Sequence, residues 1–327
     1  MQEPLVTIEN LKVFFPVKKN MFYRGPTKFV QAVNDVSFEI KKGETLALVG
    51  ESGCGKTTIG RALVALNKPT AGTIRYNGTD LSALSYDEMR PLRRKIQFIF
   101  QDPYSSLNPR MTVLQTLQRV MLINGVCTKE EVNDKALELI RKVGLTEDQL
   151  HRFPHEFSGG QRQRISVARA LSLTPELIIA DEPTAALDVS IQSQILNLLA
   201  ELKKEMGLTM VFISHDLSVV NYVSDRTAIM YLGHIVEIGN SREIFNNPMH
   251  PYTKALLEAV PRKTHGCTER KIRLKGSIPS PIDPPSGCPL HPRCPFATER
   301  CAKEAPELIH INNRQVACHL CQESKAQ

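Results

Sequence analysis

No run of 18 or more apolar residues occurs among the 327 residues, so the sequence contains no membrane-spanning helix. The start, Met1-Gln2-Glu3-Pro4, has neither the basic head nor the apolar core of a secretory signal, and the chain is expected to stay in the cytosol. Glycine (18) and proline (21) are too few and too aperiodic for a collagen-like chain. No large excess of one charge exists: 41 Lys and Arg against 34 Asp and Glu leave +7. That balance permits nucleic acid or an anionic membrane surface as a partner and decides for neither. With 42% hydrophobic and 23% charged residues, a wholly disordered chain is excluded. No internal repeat is found. The length suggests about two domains.

Cysteine is unevenly placed. Six of the eight (Cys267, Cys288, Cys294, Cys301, Cys318, Cys321) fall in the last 61 residues. Clustered thiols in a cytosolic protein point to a metal group before disulfides.

β-branched runs separated by turn residues predict strands at Val6–Leu11, Val33–Ile40 and Thr45–Val49, with 16–30 as a polar, basic loop. A glycine-rich stretch over Gly50–Thr58 leads into a short helix over Ile59–Leu66, and a strand follows at Ile96–Phe100. From 102 to about 165 the apolar spacing turns helical, clearest in Val113–Ile123 and Ala136–Val143. Strands return at Leu177–Ala180, Met210–Ile213 and Ala228–Tyr231, separated by helices over Gln161–Leu171 and Ile191–Met206. Such alternation predicts an α/β fold with a mostly parallel sheet covered on both faces. Beyond Pro248 the chain becomes rich in proline and poor in pattern, so a boundary falls near 240–262.

Gly50-Glu51-Ser52-Gly53-Cys54-Gly55-Lys56-Thr57-Thr58 fits G-x-x-x-x-G-K-S/T between a strand and a helix, the context that makes the pattern a phosphate-binding loop. The glycines let backbone N–H groups wrap a β-phosphate, and the helix N-terminus adds a favourable dipole. Lys56 is expected to neutralise β/γ oxygens and Thr57 to hold Mg²⁺. Leu177-Ile178-Ile179-Ala180-Asp181-Glu182 is an apolar strand ending in two carboxylates. Alternation sends them in different directions, Asp181 toward a Mg²⁺ shell and Glu182 toward an attacking water. Phe157-Ser158-Gly159-Gly160-Gln161 precedes a helix, and alone it reads as a serine N-cap.

Together these stretches resemble the ATP-binding-cassette (ABC) ATPases: Walker A at 50–58, the signature at 157–161 and Walker B at 177–182. Ala185-Ala186-Leu187-Asp188 is similar to the D-loop, and Ser214-His215-Asp216 to the segment of the switch histidine. Gln101 sits where the family has its Q-loop glutamine, which also faces Mg²⁺, and Phe15 aligns with the aromatic that stacks on adenine. Phe157 stands where the family usually has Leu, an apolar packing position. The resemblance covers most of residues 5–240. It implies a P-loop core with N-terminal antiparallel strands, an inserted helical subdomain at about 102–165, and ATP held by Phe15, Gly50, Ser52, Gly53, Cys54, Gly55, Lys56, Thr57 and Thr58. It also implies catalysis by Glu182, His215 and Gln101. Ser158, Gly159, Gly160, Gln161 and Asp188 would complete the ATP site of a partner cassette, so that ATP joins two cassettes head to tail.

Within the family, Val30-Gln31-Ala32-Val33-Asn34-Asp35-Val36-Ser37-Phe38, Gln101-Asp102-Pro103-Tyr104-Ser105-Ser106-Leu107-Asn108-Pro109-Arg110 and His250-Pro251-Tyr252-Thr253-Lys254-Ala255-Leu256-Leu257 resemble the ATPases of oligopeptide and dipeptide importers, the F-type subunit before the D-type. The His250–Leu257 run is also an ordinary helix start with Pro251 in its first turn, a family marker and not a site. The resemblance implies an ATPase domain at 1–245 and a cysteine-bearing extension at 246–327. Its partners would be a second, D-type ATPase, two membrane permeases and an extracytoplasmic solute-binding protein, with the chain on the cytoplasmic face of the inner membrane. The 102–165 segment would receive a permease helix. Nickel or glutathione importers share such ATPases, so the cargo stays open.

Cys288-x5-Cys294-x6-Cys301-x16-Cys318 offers four thiolates at a spacing unlike a zinc ribbon. Some importer ATPases with a similar tail carry a 4Fe–4S cluster, and the resemblance favours that cluster over zinc, with free thiols as the remaining reading. His291, His319 and Cys321 are alternate ligands, while Cys267 and Cys127 stand without clear partners. A cluster would staple a tail too poor in apolar residues for its own core.

Two other classes weigh less. A soluble ABC protein acting on nucleic acid or ribosomes usually has two cassettes or long coiled coils, whereas this chain has one phosphate loop and about 56 residues between Gln101 and the signature. Nucleic acid is therefore not expected as a partner. An iron–sulfur regulator that has lost transport conflicts with intact Lys56, Glu182 and His215.

Overall fold

The structure is a computed structural model and describes residues 3–17, 27–185, 187–259 and 272–323. The central part of the expected 16–30 loop, Ala186 of the D-loop and Cys267 lie outside the described residues.

In chain order, strands β1 (Pro4–Pro16), β2 (Phe29–Lys41) and β3 (Thr45–Val49) precede helix α1 (Lys56–Leu63), β4 (Ala71–Tyr76) and β5 (Thr79–Asp80). Then come α2 (Tyr86–Lys95), β6 (Ile96–Ile99), α3 (Pro103–Ser106), α4 (Val113–Ile123), α5 (Val132–Lys142) and α6 (Gly159–Leu171). β7 (Leu177–Asp181), α7 (Val189–Met206), β8 (Thr209–Ser214), α8 (Leu217–Val223), β9 (Arg226–Tyr231) and β10 (His234–Asn240) follow. The chain continues through α9 (Ser241–Asn246), α10 (Pro251–Ala259), α11 (Glu299–Lys303), β11 (Ile309–Ile311), β12 (Arg314–Val316) and α12 (His319–Glu323). No helix among the described residues is long and apolar enough to cross a membrane.

Two compact units divide the chain. The first comprises Met1–Lys41, Thr45–Ser82 and Ser214–Gln327; the second comprises Lys42–Glu44 and Ala83–Ile213. In the first unit, β2, β1, β4 and β5 form an antiparallel sheet. Phe29 and Val30 pair with Pro16 and Phe15, and Val17 N–H donates to the Lys28 carbonyl at 2.9 Å, so both ends of the expected loop are strand. The hairpin of β4 and β5 turns at Asn77-Gly78, both at positive φ. That dipeptide between alternating residues is a strong hairpin signal in the sequence. A second sheet in this unit runs β11, β12, β10, β9 and β3, with β3 and β9 parallel and the rest antiparallel. Every residue of β3 is buried, as expected of a strand covered on both faces.

The residues after 245 join this unit through a buried ion pair. Glu237 on β10 has no exposed side-chain surface, and Arg314 on β12 donates to it at 3.1 Å. Its two oxygens also accept from the N–H groups of Met249 and His250, at 3.1 and 3.0 Å. Those N–H groups precede α10 and have no partner within the helix. Beside this joint Ile311, Val316 and Cys321 form an apolar cluster, and Tyr252, Leu257 and Leu290 are buried as well.

The second unit holds the parallel strands β6, β7 and β8. α4 begins at the observed Thr112–Gln115 capping box, and its apolar residues Val113, Leu117 and Met121 face inward. α5 turns Ala136 and Ile140 inward in the same way. The helical spacing read over Val113–Ile123 thus matches the helix residue for residue.

His250 is 1% exposed, and its Nδ1 accepts from Tyr252 N–H at 3.1 Å. Burial lowers the imidazole from its ordinary range to about 3. Between that value and the ordinary 6.5, the unfolded chain takes up a proton that the folded chain refuses. The unfolding free energy therefore falls as the pH drops through this window. His250→Asn is expected to flatten that slope by about 1 kcal/mol per pH unit. Urea midpoints at pH 7 and pH 5 measure it, and parallel slopes for both proteins would contradict it.

Candidate ATP site

β3 delivers the chain to Gly50, and the loop closes at Gly55, the left-handed N-cap of α1. Close approach requires glycine here. A Cβ on Gly55 would stand 2.2 Å from the Ala32 carbonyl oxygen, at a φ of 106°. Lys56 is 5% exposed, and its Nζ donates to the carbonyls of Gly50 at 2.8 Å and Glu51 at 3.0 Å. The ammonium thus spans the mouth of the loop it belongs to. Thr57 and Thr58 occupy the first turn of α1. Cys54 Sγ lies 3.7 Å from Lys56 Nζ, and burial pushes its thiol up. Phe15, near the end of β1, is 39% exposed. His215 belongs to this unit and is exposed just beyond β8, before Asp216 caps α8 by accepting from Ser218 N–H at 2.9 Å.

The second unit gathers the other expected groups. β7 ends at Asp181, which is 3% exposed, and Glu182 follows in a left-handed conformation with φ 45°. That conformation is uncommon for a residue with a side chain and is fixed by Glu182 N–H donating to the Ile213 carbonyl at 2.9 Å. Gln101 Nε2 donates to Glu182 Oε2 at 2.8 Å, so two of the three expected catalytic groups are in contact. Ser158 caps α6: its Oγ accepts from Gln161 N–H at 3.3 Å, and Gln161 Oε1 accepts from Ser158 N–H at 3.0 Å. This box leaves Ser158 and Gly159 on the surface. Gly160 is buried, and a Cβ there would stand 2.3 Å from Ile191 Cγ2, so only glycine allows α6 this close to α7. Asp188 caps α7 by accepting from Ile191 N–H at 3.0 Å; that bond and one from Ser190 hold its carboxyl below the usual range.

Cys288, Cys294, Cys301 and Cys318 line one small cavity of about 30 Å³ together with His291 and His319. Burial raises the Cys288 thiol to about 12 and raises Cys294 as well. Cys318 is held below the ordinary thiol range because the Cys321 thiol and neighbouring backbone amides donate to it. Cys321 faces the apolar cluster, its Sγ 3.4 Å from the Met249 carbonyl oxygen, and it is not one of the cavity's lining thiols. Among the described residues no group of three or more His, Cys, Asp or Glu could hold a metal ion as placed. The four thiols expected to hold a 4Fe–4S cluster are thus gathered around one cavity without forming a metal-binding group.

Sequence reading missed three partners of the loop. Arg293, between two of these cysteines, forms a two-pronged ion pair with Glu51 at 2.9 and 3.3 Å. Tyr252, read only as a family marker, accepts from Glu51 N–H at 3.1 Å. The Tyr231 ring meets that of Tyr252 at a 58° tilt, with centroids 4.8 Å apart, and its hydroxyl lies 3.5 Å from Arg293 Nη1. The pairing of Arg293 with Glu51 spans 242 residues, and no local pattern announces it.

A lysine cradled by a glycine loop at a helix start is the geometry of a phosphate-loop nucleotide-binding protein. Residues 33–185 match the ABC transporter family, and residues 236–301 match the oligopeptide/dipeptide transporter C-terminal region. The oligopeptide transport ATP-binding protein AppF of Bacillus subtilis (strain 168) is 50% identical over 98% of this chain and 98% of its own. The dipeptide transport ATP-binding protein DppF of Escherichia coli (strain K12) is 48% identical over 97% of this chain and 95% of its own. Among solved structures, the dimeric post-hydrolysis state of the ATP-binding cassette MJ0796 bound to ADP and Pi superposes with a TM-score of 0.64. It is 32% identical and covers 72% of this chain and 99% of that one. The chain belongs to the ABC transporter ATP-binding proteins of the oligopeptide and dipeptide transporter group. It is an ATPase.

Gly55→Ala is expected to force the loop off Ala32 and weaken ATP binding by about tenfold or more. Equilibrium binding of ATP to the purified full-length chain measures this, and unchanged affinity would show that the loop tolerates a Cβ.

Proposed function

We propose that this chain hydrolyses ATP to power the import of oligopeptides or dipeptides across the cytoplasmic membrane. The observation that carries the reading is the union, on one chain, of a formed phosphate loop with a peptide-transporter C-terminal region. The chain works peripherally on the cytoplasmic face, with 1–245 as the ATPase portion and 246–327 as the extension. Its partners are two permeases, a solute-binding protein and a second cassette of D type.

Lys56 and the loop amides bind the β- and γ-phosphates, and Phe15 stacks on the adenine. The oxygen donors of Thr57, Gln101 and Asp181 suit Mg²⁺, which when bound supplies positive charge to the phosphates. Glu182 orients the attacking water and takes its proton, with Gln101 holding the carboxylate in place. Ser158 and the amides of Gly159 and Gly160 donate to the γ-phosphate of the partner cassette, and Asp188 and His215 complete that junction. ATP thereby bridges two cassettes, and loss of the γ-phosphate releases them.

The cysteine cavity takes a thiolate-bound metal group, a 4Fe–4S cluster before zinc. Four thiols lining one cavity support this reading. Loading requires them to give up protons and draw inward. Absorbance near 400 nm in anaerobically purified protein, lost in Cys294→Ser, is expected; colourless, iron-free protein would contradict the cluster.

Glu182→Gln should lower ATP turnover about 100-fold or more while retaining bound ATP. The ATPase rate of the assembled transporter checks this, and a rate close to the parent's would remove Glu182 as the base.

A further inference from the structure

The extension reaches back to the phosphate loop at one residue. Glu51 is the second residue of the loop, and its carbonyl is one of the two that receive the Lys56 ammonium. Three of its polar atoms are held by the extension. Its N–H goes to the Tyr252 hydroxyl, and its two carboxylate oxygens go to the two terminal nitrogens of Arg293. Arg293 is 8% exposed and lies 5.7 Å over the Tyr231 ring, which itself packs on Tyr252. Loop and extension belong to the same compact unit.

A carboxylate beside the loop would repel a triphosphate, and the Glu51 side chain retains 30% of its surface. A planar guanidinium that takes both oxygens cancels that charge and fixes its direction. With the peptide of Glu51 pinned at its N–H as well, the loop meets the nucleotide already ordered, so less freedom is lost on binding.

We propose that Arg293 is a positioning residue of the ATP site: from the cysteine segment of the extension it neutralises and orients Glu51 and so keeps the phosphate loop ready for ATP. The proposal rests on the ATP-site reading above and adds to it a residue more than 230 positions beyond the loop.

Arg293→Ala is expected to raise the ATP KM about tenfold and to lower kcat less than twofold, because order and charge at the loop act on binding. Arg293→Lys, which keeps the charge and loses the fork, should fall between the two proteins. Adding Glu51→Gln to Arg293→Ala should recover part of the lost affinity, since the repelling carboxylate is gone. All variants are measured as full-length chain in the assembled transporter, by steady-state ATPase and by equilibrium ATP binding. Parent-like KM in Arg293→Ala overturns the proposal, as does a double variant whose loss equals the sum of the two single losses. Should Arg293→Ala fail to fold, Arg293→Lys and Glu51→Gln decide: a raised KM at near-parent kcat in Arg293→Lys supports the proposal, and parent values in both overturn it. Lys56→Ala separates the two levels, because ATP binding that survives it would refute the phosphate-loop reading itself, whatever Arg293 does.

Discussion

One buried ammonium organises the nucleotide end of this protein. Lys56 sits 5% exposed and is held by two carbonyls of its own loop at 2.8 and 3.0 Å. A buried cation without such acceptors would be costly, so the loop must keep its carbonyls turned inward. The Gly50–Glu51 peptide is thereby fixed from both sides, its carbonyl on Lys56 and its N–H on Tyr252. The glycines follow from this demand. Gly55 can approach Ala32 only without a side chain, and its left-handed backbone starts α1 at the point where the helix dipole is useful.

Around that centre, long-range polar contacts tie the extension to the sheet it continues. Glu237 and Arg314 join β10 to β12, and the same carboxylate collects the amides that open α10. α10 then presents Tyr252 to Glu51. The result is a chain of hydrogen-bonded contacts from the end of the sheet to the phosphate loop. Each buried charge along it is paired, and a paired buried charge fixes geometry more than it adds stability. That suits a region whose task is to hold a loop in one shape.

Much of this was legible in the residues. The phosphate loop, the acidic strand end and the Ser158 turn are local patterns, and each lies where its pattern placed it. The turn at Asn77-Gly78 carried its own signal and went unread. What stayed hidden is non-local. Glu51 looks like a filler in a motif, Arg293 like a spacer between cysteines and Tyr252 like a helix-start residue. Only the fold brings them together. The cysteine spacing is different: its four thiols do converge on one cavity, and the distances among them are set by the fold and not by the spacing.

ATP hydrolysis measured per chain, as a function of the concentration of paired cassettes, tests most directly whether one cassette's loop is completed by another's Ser158 turn. Activity per chain should rise with pairing and collapse when Ser158 of the donating cassette becomes Arg. A rate per chain that is constant at all concentrations and indifferent to Ser158 would mean that a single cassette suffices, and the proposed engine would be wrong.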